Sequence, residues 1–431
     1  MRVQALDRTA AGDWRFDVGD HGGAGGTVAA RLGTHRITPL LGDSGVQEAT
    51  TLAETTLSLR YGLNPQQSPA RASVSGDAFP LTVLNGQPGY INLLDALHSW
   101  QLVRELRAAF GLPAAASFKH VTPAGAALGL PLPPDLAAAC RVPSDELTPL
   151  ASAYARARGA DRMASFGDFA ALSDPVDEAT AAILAREVSD GVVAPGYAPA
   201  ALKRLRTKKG GGYLVLQIDP AWEPPAVERR EVFGITLEQP RHDAVPHLGE
   251  AVTRRRDVPP GAERDMLVAA ITLKFTPSNS VALAWDGQAI GVGAGQQSRI
   301  HCTRLACGKA ETWWLRRHPR ALALRFPAGT PRPARDNAVD AWLEGEVPSI
   351  LVERAEPLSA AERTAWLGKL RGVALASDGF IPFRDNIDRA ARSGVEYVWE
   401  PGGSGRDPEV IAAADEHGMA MCFSGQRLFL H

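Results

Sequence analysis

The chain has 431 residues, of which 45% are hydrophobic and 22% are charged, and its formal net charge is −2. This length predicts two or three domains or one large divided domain, and the composition is typical of a soluble protein with a substantial core. A net charge this close to zero gives no bulk electrostatic attraction to nucleic acid or to a membrane surface.

Neither a membrane span nor a leader is predicted. The chain has no run of 18 apolar residues, and its first residues, Met1 to Asp7, lack the apolar core of a signal peptide. We therefore expect a cytoplasmic protein with no membrane partner. The cysteines form no Cys-x-x-Cys pair, so we predict buried, reduced thiols rather than disulfides or a zinc site. These cysteines are Cys140, Cys302, Cys307 and Cys422.

Residues 1–55 are interpreted as an N-terminal extension. They are rich in Gly, Ala and Thr, with Gly22 to Gly26 near the centre. The run lacks the lysine and the Ser/Thr of a phosphate-binding loop. We predict a short strand or two and a flexible middle.

An α/β unit follows. We predict a strand over 81–84, a helix over 93–110 and an apolar strand over 114–118. The apolar side chains of the helix keep helical spacing, and Gly111 and Pro113 end it. The spaced residues are Leu94, Leu97, Leu102, Leu106 and Phe110.

The alternation of helices and strands continues to residue 218. Helices are predicted at about 149–159, 179–188 and 198–206, with a short strand that ends at 191–196 and a strand over 213–218. The cationic cluster from Lys203 to Lys209 is interpreted as a solvated helix end. Residues 219–260 are rich in Pro and Arg and are predicted to be an irregular connector.

The second half has the same rhythm. We predict helices at 265–274, 386–392 and 407–417, strands at 281–284, 373–378, 395–399 and 419–423, and a mostly helical stretch over 303–370. Its tryptophans are expected to be packing anchors. Two similar lobes are therefore predicted, although no close internal sequence repeat is visible.

The adjacent Lys119 and His120 are the clearest candidates for chemistry. They follow an apolar run and precede Pro123 to Gly125, which is interpreted as a turn. A histidine handles protons near neutral pH, and a lysine can stabilise developing negative charge. An isolated Lys-His pair is most often a solvated lysine beside a structural histidine. Other motifs in the chain favour the functional interpretation.

Two of these motifs are loops suited to ligands. Arg60 lies in the loop Leu59 to Gln67, and its planar guanidinium suits a phosphate or carboxylate. Glycines crowd the stretch from Gly291 to Gly295, just before Arg299, and allow the backbone to approach a ligand closely.

From about residue 56 to its end, the chain resembles the aminoimidazole carboxamide ribonucleotide (AICAR) formyltransferase domain that is joined to IMP cyclohydrolase in a bifunctional purine enzyme. Several motifs carry the resemblance in the same order. They are Leu59 to Gly62, Ala115 to Val121, Ala153 to Arg162, Arg186 to Gly191, Ser278 to Val281, Gly293 to His301, Phe383 to Asn386 and the final Arg427-Leu428-Phe429.

The resemblance implies an α/β fold of two tandem cytidine-deaminase-like lobes, each a sheet between helices. The implied lobes are residues 56–250 and 251–431, with the helical insertion at about 303–370 in the second. The deaminase zinc signature, His-x-Glu with Pro-Cys-x-x-Cys, is absent, so no catalytic zinc is expected. The resemblance also implies a homodimer whose active sites use both subunits.

The implied reaction transfers a formyl group from 10-formyltetrahydrofolate, the co-substrate, to the 5-amino group of AICAR. His120 would handle the proton of the amine, Lys119 would stabilise the tetrahedral intermediate and Asn279 would hydrogen-bond near the formyl group. A monovalent cation such as K+ is a further implied cofactor. The residues implied in substrate binding are Arg60, Tyr61, Gly167, Asp190, Arg299, Phe380, Asp385, Ser404 and Arg427.

Two departures from the family pattern leave alternatives open. The family usually has Asn-Pro-His after Arg-Tyr-Gly, whereas this chain has Gln66, which cannot titrate. A cyclohydrolase domain is also missing from the sequence, so we expect a formylated product to be released without ring closure. One alternative is a paralogue that formylates a related aromatic amine. The other is a non-catalytic nucleotide-binding regulator, which the intact Lys119-His120 pair disfavours.

Overall fold

The structure, a computed structural model, describes residues 56–74, 79–143 and 147–431, together with the backbone of four strands between residues 2 and 40. Contacts divide the chain into two units. One consists of residues 1–55 and 74–79, and the other consists of residues 56–73 and 80–431. The predicted lobe boundaries at 55/56 and 250/251 stay predictions.

The first unit contains an antiparallel sheet with strand order β1-β2-β3-β4. Its strands are β1 (Arg2–Arg8), β2 (Trp14–Gly19), β3 (Gly26–Gly33) and β4 (Arg36–Leu40). The prediction of one or two strands was therefore wrong, because the abundance of Gly, Ala and Thr over residues 1–55 as a whole favoured a flexible segment. The predicted flexible middle, residues 22–25, lies outside the described residues.

The second unit is built on a twelve-stranded mixed sheet covered by helices. Its N-terminal part has these elements: β5 (Thr56–Leu59), β6 (Ala70–Ser73), β7 (Leu81–Asn85), α1 (Tyr90–Phe110), β8 (Ala114–Lys119), β9 (Thr122–Leu128), α2 (Pro134–Cys140), α3 (Pro149–Ala160), β10 (Asp168–Leu172), α4 (Glu178–Arg186), β11 (Ser189–Ala194), α5 (Pro199–Thr207) and β12 (Leu214–Ile218).

Its C-terminal part has these: β13 (Val227–Val232), β14 (Ile235–Pro240), β15 (Glu250–Ala251), α6 (Pro260–Lys274), β16 (Val281–Trp285), β17 (Gln288–Gly293), α7 (Arg299–Leu315), α8 (Pro319–Leu322), α9 (Arg332–Leu343), α10 (Ala360–Leu367), β18 (Val373–Ser377), α11 (Asp385–Ala391), β19 (Val395–Glu400), α12 (Asp407–Glu416) and β20 (Ala420–Phe423).

The two halves of the large sheet repeat one topology. Its order is β15-β20-β19-β18-β16-β17-β9-β8-β10-β11-β12-β7. In each half a helix precedes a hairpin, and three mutually parallel strands follow, linked by helices. The halves join where β9 pairs antiparallel with β17. An α/β fold with a mixed sheet is thereby confirmed.

Helix α1 illustrates why these elements form. Its buried face includes Asp95, Ser99, Leu102 and Leu106, which recur at helical spacing. Gly111 ends the helix in the left-handed conformation, with φ of 67°, where glycine carries no steric penalty. The predicted helix over 93–110 is confirmed, with an additional N-terminal turn.

The insertion between β17 and β18 has a small core of its own around Trp342. Trp313 packs into the main core, and the rings of Trp314 and Trp366 stack with their centroids 5.9 Å apart. The tryptophans therefore pack as predicted, and all four cysteines are buried and free, also as predicted. In the described part of the chain, every helix is too short or too polar to cross a membrane.

Two local predictions were wrong. Pro123 to Gly125 is not a turn, because these residues lie inside β9, where Gly125 packs directly against α3. The connector over 219–260 is not wholly irregular, because it contains the antiparallel hairpin β13–β14, whose residues are all exposed.

We predict that Gly125→Ala destabilises the protein by about 1–3 kcal/mol, the usual result of overpacking. A Cβ at position 125 would overlap the Ala157 carbonyl and the Ala160 side chain, both on α3. Urea unfolding measures the change. Gly308→Ala on α7 is the control, because a Cβ there meets nothing within 4 Å and alanine favours helix. Equal stability of the parent and Gly125→Ala would contradict the packing described here.

Candidate active site

The Lys119-His120 pair lies at the tip of the β8–β9 hairpin. Lys119 pairs with Thr122, so His120 and Val121 form a two-residue turn, with φ of 55° and 57°. Such turns favour Asn-Gly or Asp-Gly, because both residues need positive φ. A β-branched valine in this region is strained, by about 1–3 kcal/mol, and such strain is concentrated at functional sites.

Asp95, on α1, supports this turn. Its carboxylate accepts a hydrogen bond of 2.7 Å from the Val121 N–H, and only 6% of the residue is exposed. Burial raises the pKa of Asp95 to about 6, although the Val121 N–H and the charge of His120 act in the opposite direction. Sequence reasoning missed Asp95. Its signal was an acidic residue in the buried stripe of α1.

Lys119 is half-buried and reaches the next strand. Its ammonium donates to the carbonyl of Phe166 at 2.5 Å. The following residue, Gly167, has φ of 75° and donates its N–H to Val188, which fixes the loop before β10. Lys119, His120 and Gly167 are therefore brought together. His120 is exposed to solvent.

Asp190 lies on the neighbouring strand β11 and is exposed. Its carboxylate pairs with the ammonium of Lys209 at 2.7 Å. Lys208 behaves differently, because its ammonium donates to Leu184 and to Ser189 and lies 3.9 Å from the Tyr213 ring centroid. Burial lowers the pKa of Lys208 to about 7. The solvated-helix-end prediction was therefore wrong for Lys208.

Arg60 and Tyr61 follow β5 and reach the start of α1. The Arg60 guanidinium is exposed and donates to the side-chain oxygen of Asn92 at 3.0 Å. Asn92 lies one turn before Asp95 on α1, so the Arg60 loop and the His120-Val121 turn contact the same end of this helix. Gln66 is exposed in the same loop.

A second group of predicted residues surrounds Arg299 at the start of α7. Arg299 is 7% exposed and donates to the Asn279 side-chain oxygen at 2.9 Å, and it forms an ion pair with Asp378. The amide nitrogen of Asn279 donates to the Gln296 carbonyl at 3.1 Å. Both ends of the Asn279 side chain are thus engaged.

The remaining predicted residues lie in nearby loops. Phe380 follows Asp378 and is 48% exposed, and the Arg427 guanidinium lies 4.7 Å from the Phe429 ring centroid. The C-terminal segment is tied to this group, because the Leu428 N–H donates to the Asp378 carbonyl. Ser404 accepts a hydrogen bond from the Arg406 N–H, and Asp385 is exposed at the start of α11.

All the predicted residues lie at one edge of the large sheet, which we call the site edge. It is the edge where β8 ends and β9 begins. The N-terminal ends of β10, β11 and β12 lie there, because β10 is antiparallel to β8. The C-terminal ends of β18, β19 and β20 lie there too, because the halves meet as antiparallel strands.

The predicted residues nonetheless form two groups within one chain. The first contains Lys119, His120, Gly167 and Asp190, with Arg60 and Tyr61 at the adjacent end of α1. The second contains Asn279, Arg299, Phe380, Asp385, Ser404 and Arg427. In the strand order, β18 is four steps from β8. At about 4.8 Å a step, these two strands are roughly 19 Å apart, whereas β17, which precedes Arg299, is next to β9.

Metal ligands do not gather in the described ranges. Among residues 56–74, 79–143 and 147–431, no three His, Cys, Asp or Glu side chains are placed to hold a metal ion. Within the part of the chain that the structure describes, a cavity of about 360 Å³ does occur between α7 and α9, but none of the predicted site residues lines it.

Comparison with known proteins gives a family. The model of the AICARFT/IMPCHase bienzyme family matches residues 32–309. The chain belongs to this family. The second unit begins at residue 56, so the first part of this match, residues 32–55, precedes it in the sequence.

Curated relatives of this AICARFT/IMPCHase family member are each called bifunctional purine biosynthesis protein PurH. The protein of Cereibacter sphaeroides is 34% identical over 390 residues, which cover 89% of this chain and 60% of the relative. That of Sorangium cellulosum is 33% identical over 397 residues, with the same two coverages. That of Xanthomonas campestris pv. campestris is 34% identical over 382 residues, covering 87% and 58%. The chain thus spans about three fifths of these relatives.

One buried acid in this family member lies under the second group. Glu400 ends β19, is fully buried and accepts a hydrogen bond from the Ile381 N–H. Burial raises the pKa of Glu400 to about 8, and the charge of Asp407 acts in the same direction. Through its hydrogen bond to Ile381, the Glu400 carboxylate links the loop that carries Phe380 to the loop after β19 that carries Ser404.

We predict that Glu400→Gln reduces the pH dependence of stability. The folded-state pKa of about 8 exceeds the ordinary value of 4.5, so the folded protein keeps a proton that the unfolded chain releases. Stability therefore falls as pH rises from about 4.5 through 8. Glutamine still accepts from Ile381, so the variant should be more stable at pH 9, by on the order of 3 kcal/mol.

Urea unfolding between pH 5 and pH 9 makes this comparison, with the exposed Glu344→Gln as the control. A parent protein whose stability does not decline over this range would refute the assignment of a buried neutral acid.

Proposed function

We propose that this chain is a formyltransferase that moves the formyl group of 10-formyltetrahydrofolate to the 5-amino group of AICAR in purine synthesis. The observation that carries the proposal is the strained turn that presents His120 beside Lys119 at the site edge. Membership of the AICARFT/IMPCHase bienzyme family supports it. The proposal covers formyl transfer without cyclohydrolase activity.

The chemistry explains why these two side chains are needed. The amine is conjugated with an electron-poor ring and attacks poorly. As its nitrogen bonds to the formyl carbon, the amine must lose a proton and the formyl oxygen gains negative charge. When the bond from that carbon to the folate N10 breaks, N10 must gain a proton. Two oriented reactants and two polar groups at the reacting atoms can accelerate such a step.

His120 is the proposed proton acceptor from the amine. It is exposed at the hairpin tip, so a bound substrate can reach it. Lys119 is the proposed cation for the oxyanion. Its bond to the Phe166 carbonyl suits the charged ammonium, because an ammonium only donates. The same ammonium can supply a proton toward the leaving N10.

The remaining roles follow the two groups at the site edge. Arg60, with its exposed guanidinium, is the proposed phosphate ligand, assisted by Tyr61. Gly167 and Asp190 would contact the nucleotide beside Lys119. Asn279 would hydrogen-bond near the formyl group once it exchanges one present partner. Arg299, Phe380, Asp385, Ser404 and Arg427 are the other proposed substrate contacts.

A homodimer with shared sites is part of the proposal. The division of the proposed ligands into two groups within one chain supports it, because a second subunit could bring the opposite group to each site. A second subunit would then supply the Arg299 group to the Lys119 group. Each lobe is proposed to have a cytidine-deaminase-like arrangement, which the repeated hairpin and parallel strands support. A cytoplasmic location, K+ as a cofactor and the absence of zinc stay predictions.

Gln66 motivates a second candidate, a formyltransferase for a related aromatic amine. The side chain is exposed in the same loop as Arg60, where it can influence which amine is accepted. Steady-state assays with AICAR and with its riboside, which lacks the phosphate, separate the candidates. We expect at least a tenfold higher kcat/KM for AICAR, because a charge-assisted phosphate contact contributes about 1.5–3 kcal/mol. Equal values for the two substrates would remove Arg60 as the phosphate ligand, and saturation by AICAR only at unphysiological concentration would favour the second candidate.

We predict that Lys119→Ala and His120→Ala each reduce turnover by about 10²–10⁴-fold, the usual contribution of a positioned acid or base. Release of tetrahydrofolate from 10-formyltetrahydrofolate in the presence of AICAR measures the rate. Lys203→Ala is the control, because Lys203 is exposed on α5. Circular dichroism checks that the variants fold. Unchanged turnover in both variants would remove the catalytic assignment, whereas absence of turnover in the parent protein would favour a nucleotide-binding regulator.

A further inference from the structure

Each half of the large sheet has an aspartate whose carboxylate accepts hydrogen bonds from the backbone of a hairpin turn. In the first half, Asp95 on α1 accepts from Val121 in the β8–β9 turn at 2.7 Å. In the second half, Asp265 on α6 accepts from Asp286 and from Gly287 in the β16–β17 turn, each at 2.7 Å. Both helices precede their hairpins directly, so the two aspartates occupy equivalent places in the repeated topology.

The two turns differ in what they present. The second turn is Asp286-Gly287, a sequence that adopts positive φ readily. Asp265 there also pairs with Arg264 at 2.8 Å. The first turn is His120-Val121, which does not favour that conformation and carries the proposed proton acceptor. Asp265 is therefore explained as a structural group, whereas Asp95 lies under the reacting histidine.

We propose that Asp95 is a positioning residue for formyl transfer: it fixes the strained turn and its negative charge stabilises the protonated His120 that forms when the amine loses its proton. This inference rests on the proposed function. Asp95 does not contact the reacting atoms, so its effect passes through the turn.

The charges around Asp95 support this role. The groups that act on it electrostatically are His120 from the turn, Asp190 from β11 and Asp168 from β10. His120 favours the ionised carboxylate, whereas the two acids oppose it. Burial raises the pKa of Asp95 to about 6, so the carboxylate is ionised above that pH and loses its charge below it. The stabilisation of imidazolium is present only while Asp95 is ionised.

The test compares Asp95→Asn with Asp265→Asn, since asparagine keeps an acceptor for the turn and removes the charge. We expect Asp95→Asn to lower kcat about 10–100-fold, to leave KM for AICAR within threefold, and to alter the acidic limb of the kcat profile. The parent should lose kcat as pH falls through about 6, where Asp95 loses its charge, and the variant should lack that component of the profile. Asp265→Asn should lower the melting temperature but leave kcat and the profile unchanged.

A second variant separates position from charge. Val121→Gly in the Asp95→Asn background relieves the strained φ, so we expect the melting temperature to recover while the lost kcat and altered profile remain. This double variant also carries the test if Asp95→Asn does not fold. Wild-type kcat and profile in Asp95→Asn, or an equal loss of kcat in Asp265→Asn, would overturn the inference. An inactive parent would instead refute the proposed function.

Discussion

The antiparallel pairing of β9 with β17 is the constraint on which the site depends. It joins the two halves into one sheet and reverses the direction of the second relative to the first. As a result, the N-terminal ends of one set of parallel strands and the C-terminal ends of the other set reach the same edge. Without this reversal, the loops around Lys119 and those around Arg299 would lie at opposite edges. A single sheet edge therefore collects side chains that are distant in sequence.

Buried contacts beneath this edge hold the proposed catalytic side chains in place. Ser117, on the strand that leads to Lys119, donates to Asp168 at 2.6 Å, and Asp168 forms an ion pair with Arg158. Breaking such a fully buried pair would leave an uncompensated charge, which disfavours any alternative packing. The strained turn at His120-Val121 is therefore connected to a buried strand whose packing tolerates little movement. A strained backbone that the surrounding packing holds in place can orient a side chain.

The sequence predicted most of the helices and strands, because their apolar residues recur at helical or strand spacing. The stripe from Leu102 to Phe110 and the short apolar run at 81–84 are examples. The predictions failed at residues whose type occurs in two different structural settings. Pro123 and Gly125 usually mark a turn, but Gly125 serves close contact between β9 and α3. Lys208 belongs to a basic cluster in the sequence, but folding buries its ammonium against Ser189.

The candidate site was predicted from adjacent residues and a family resemblance, and the roles of its residues stay predictions. Asp95 escaped notice, because its partner Val121 is 26 residues away and only the fold brings the two together. The division of the predicted residues into two groups was also invisible, since strand order cannot be read from local periodicity. Long-range pairing decides both features, and local patterns do not encode it.

The most direct measurement of the central claim is a structure of the protein with AICAR and a non-reactive analogue of 10-formyltetrahydrofolate bound. The account predicts that the 5-amino group lies within hydrogen-bond distance of the His120 imidazole, with the Lys119 ammonium beside the formyl position and the phosphate at Arg60. Ligands bound at the opposite edge of the sheet, or an amine outside the reach of His120, would contradict it.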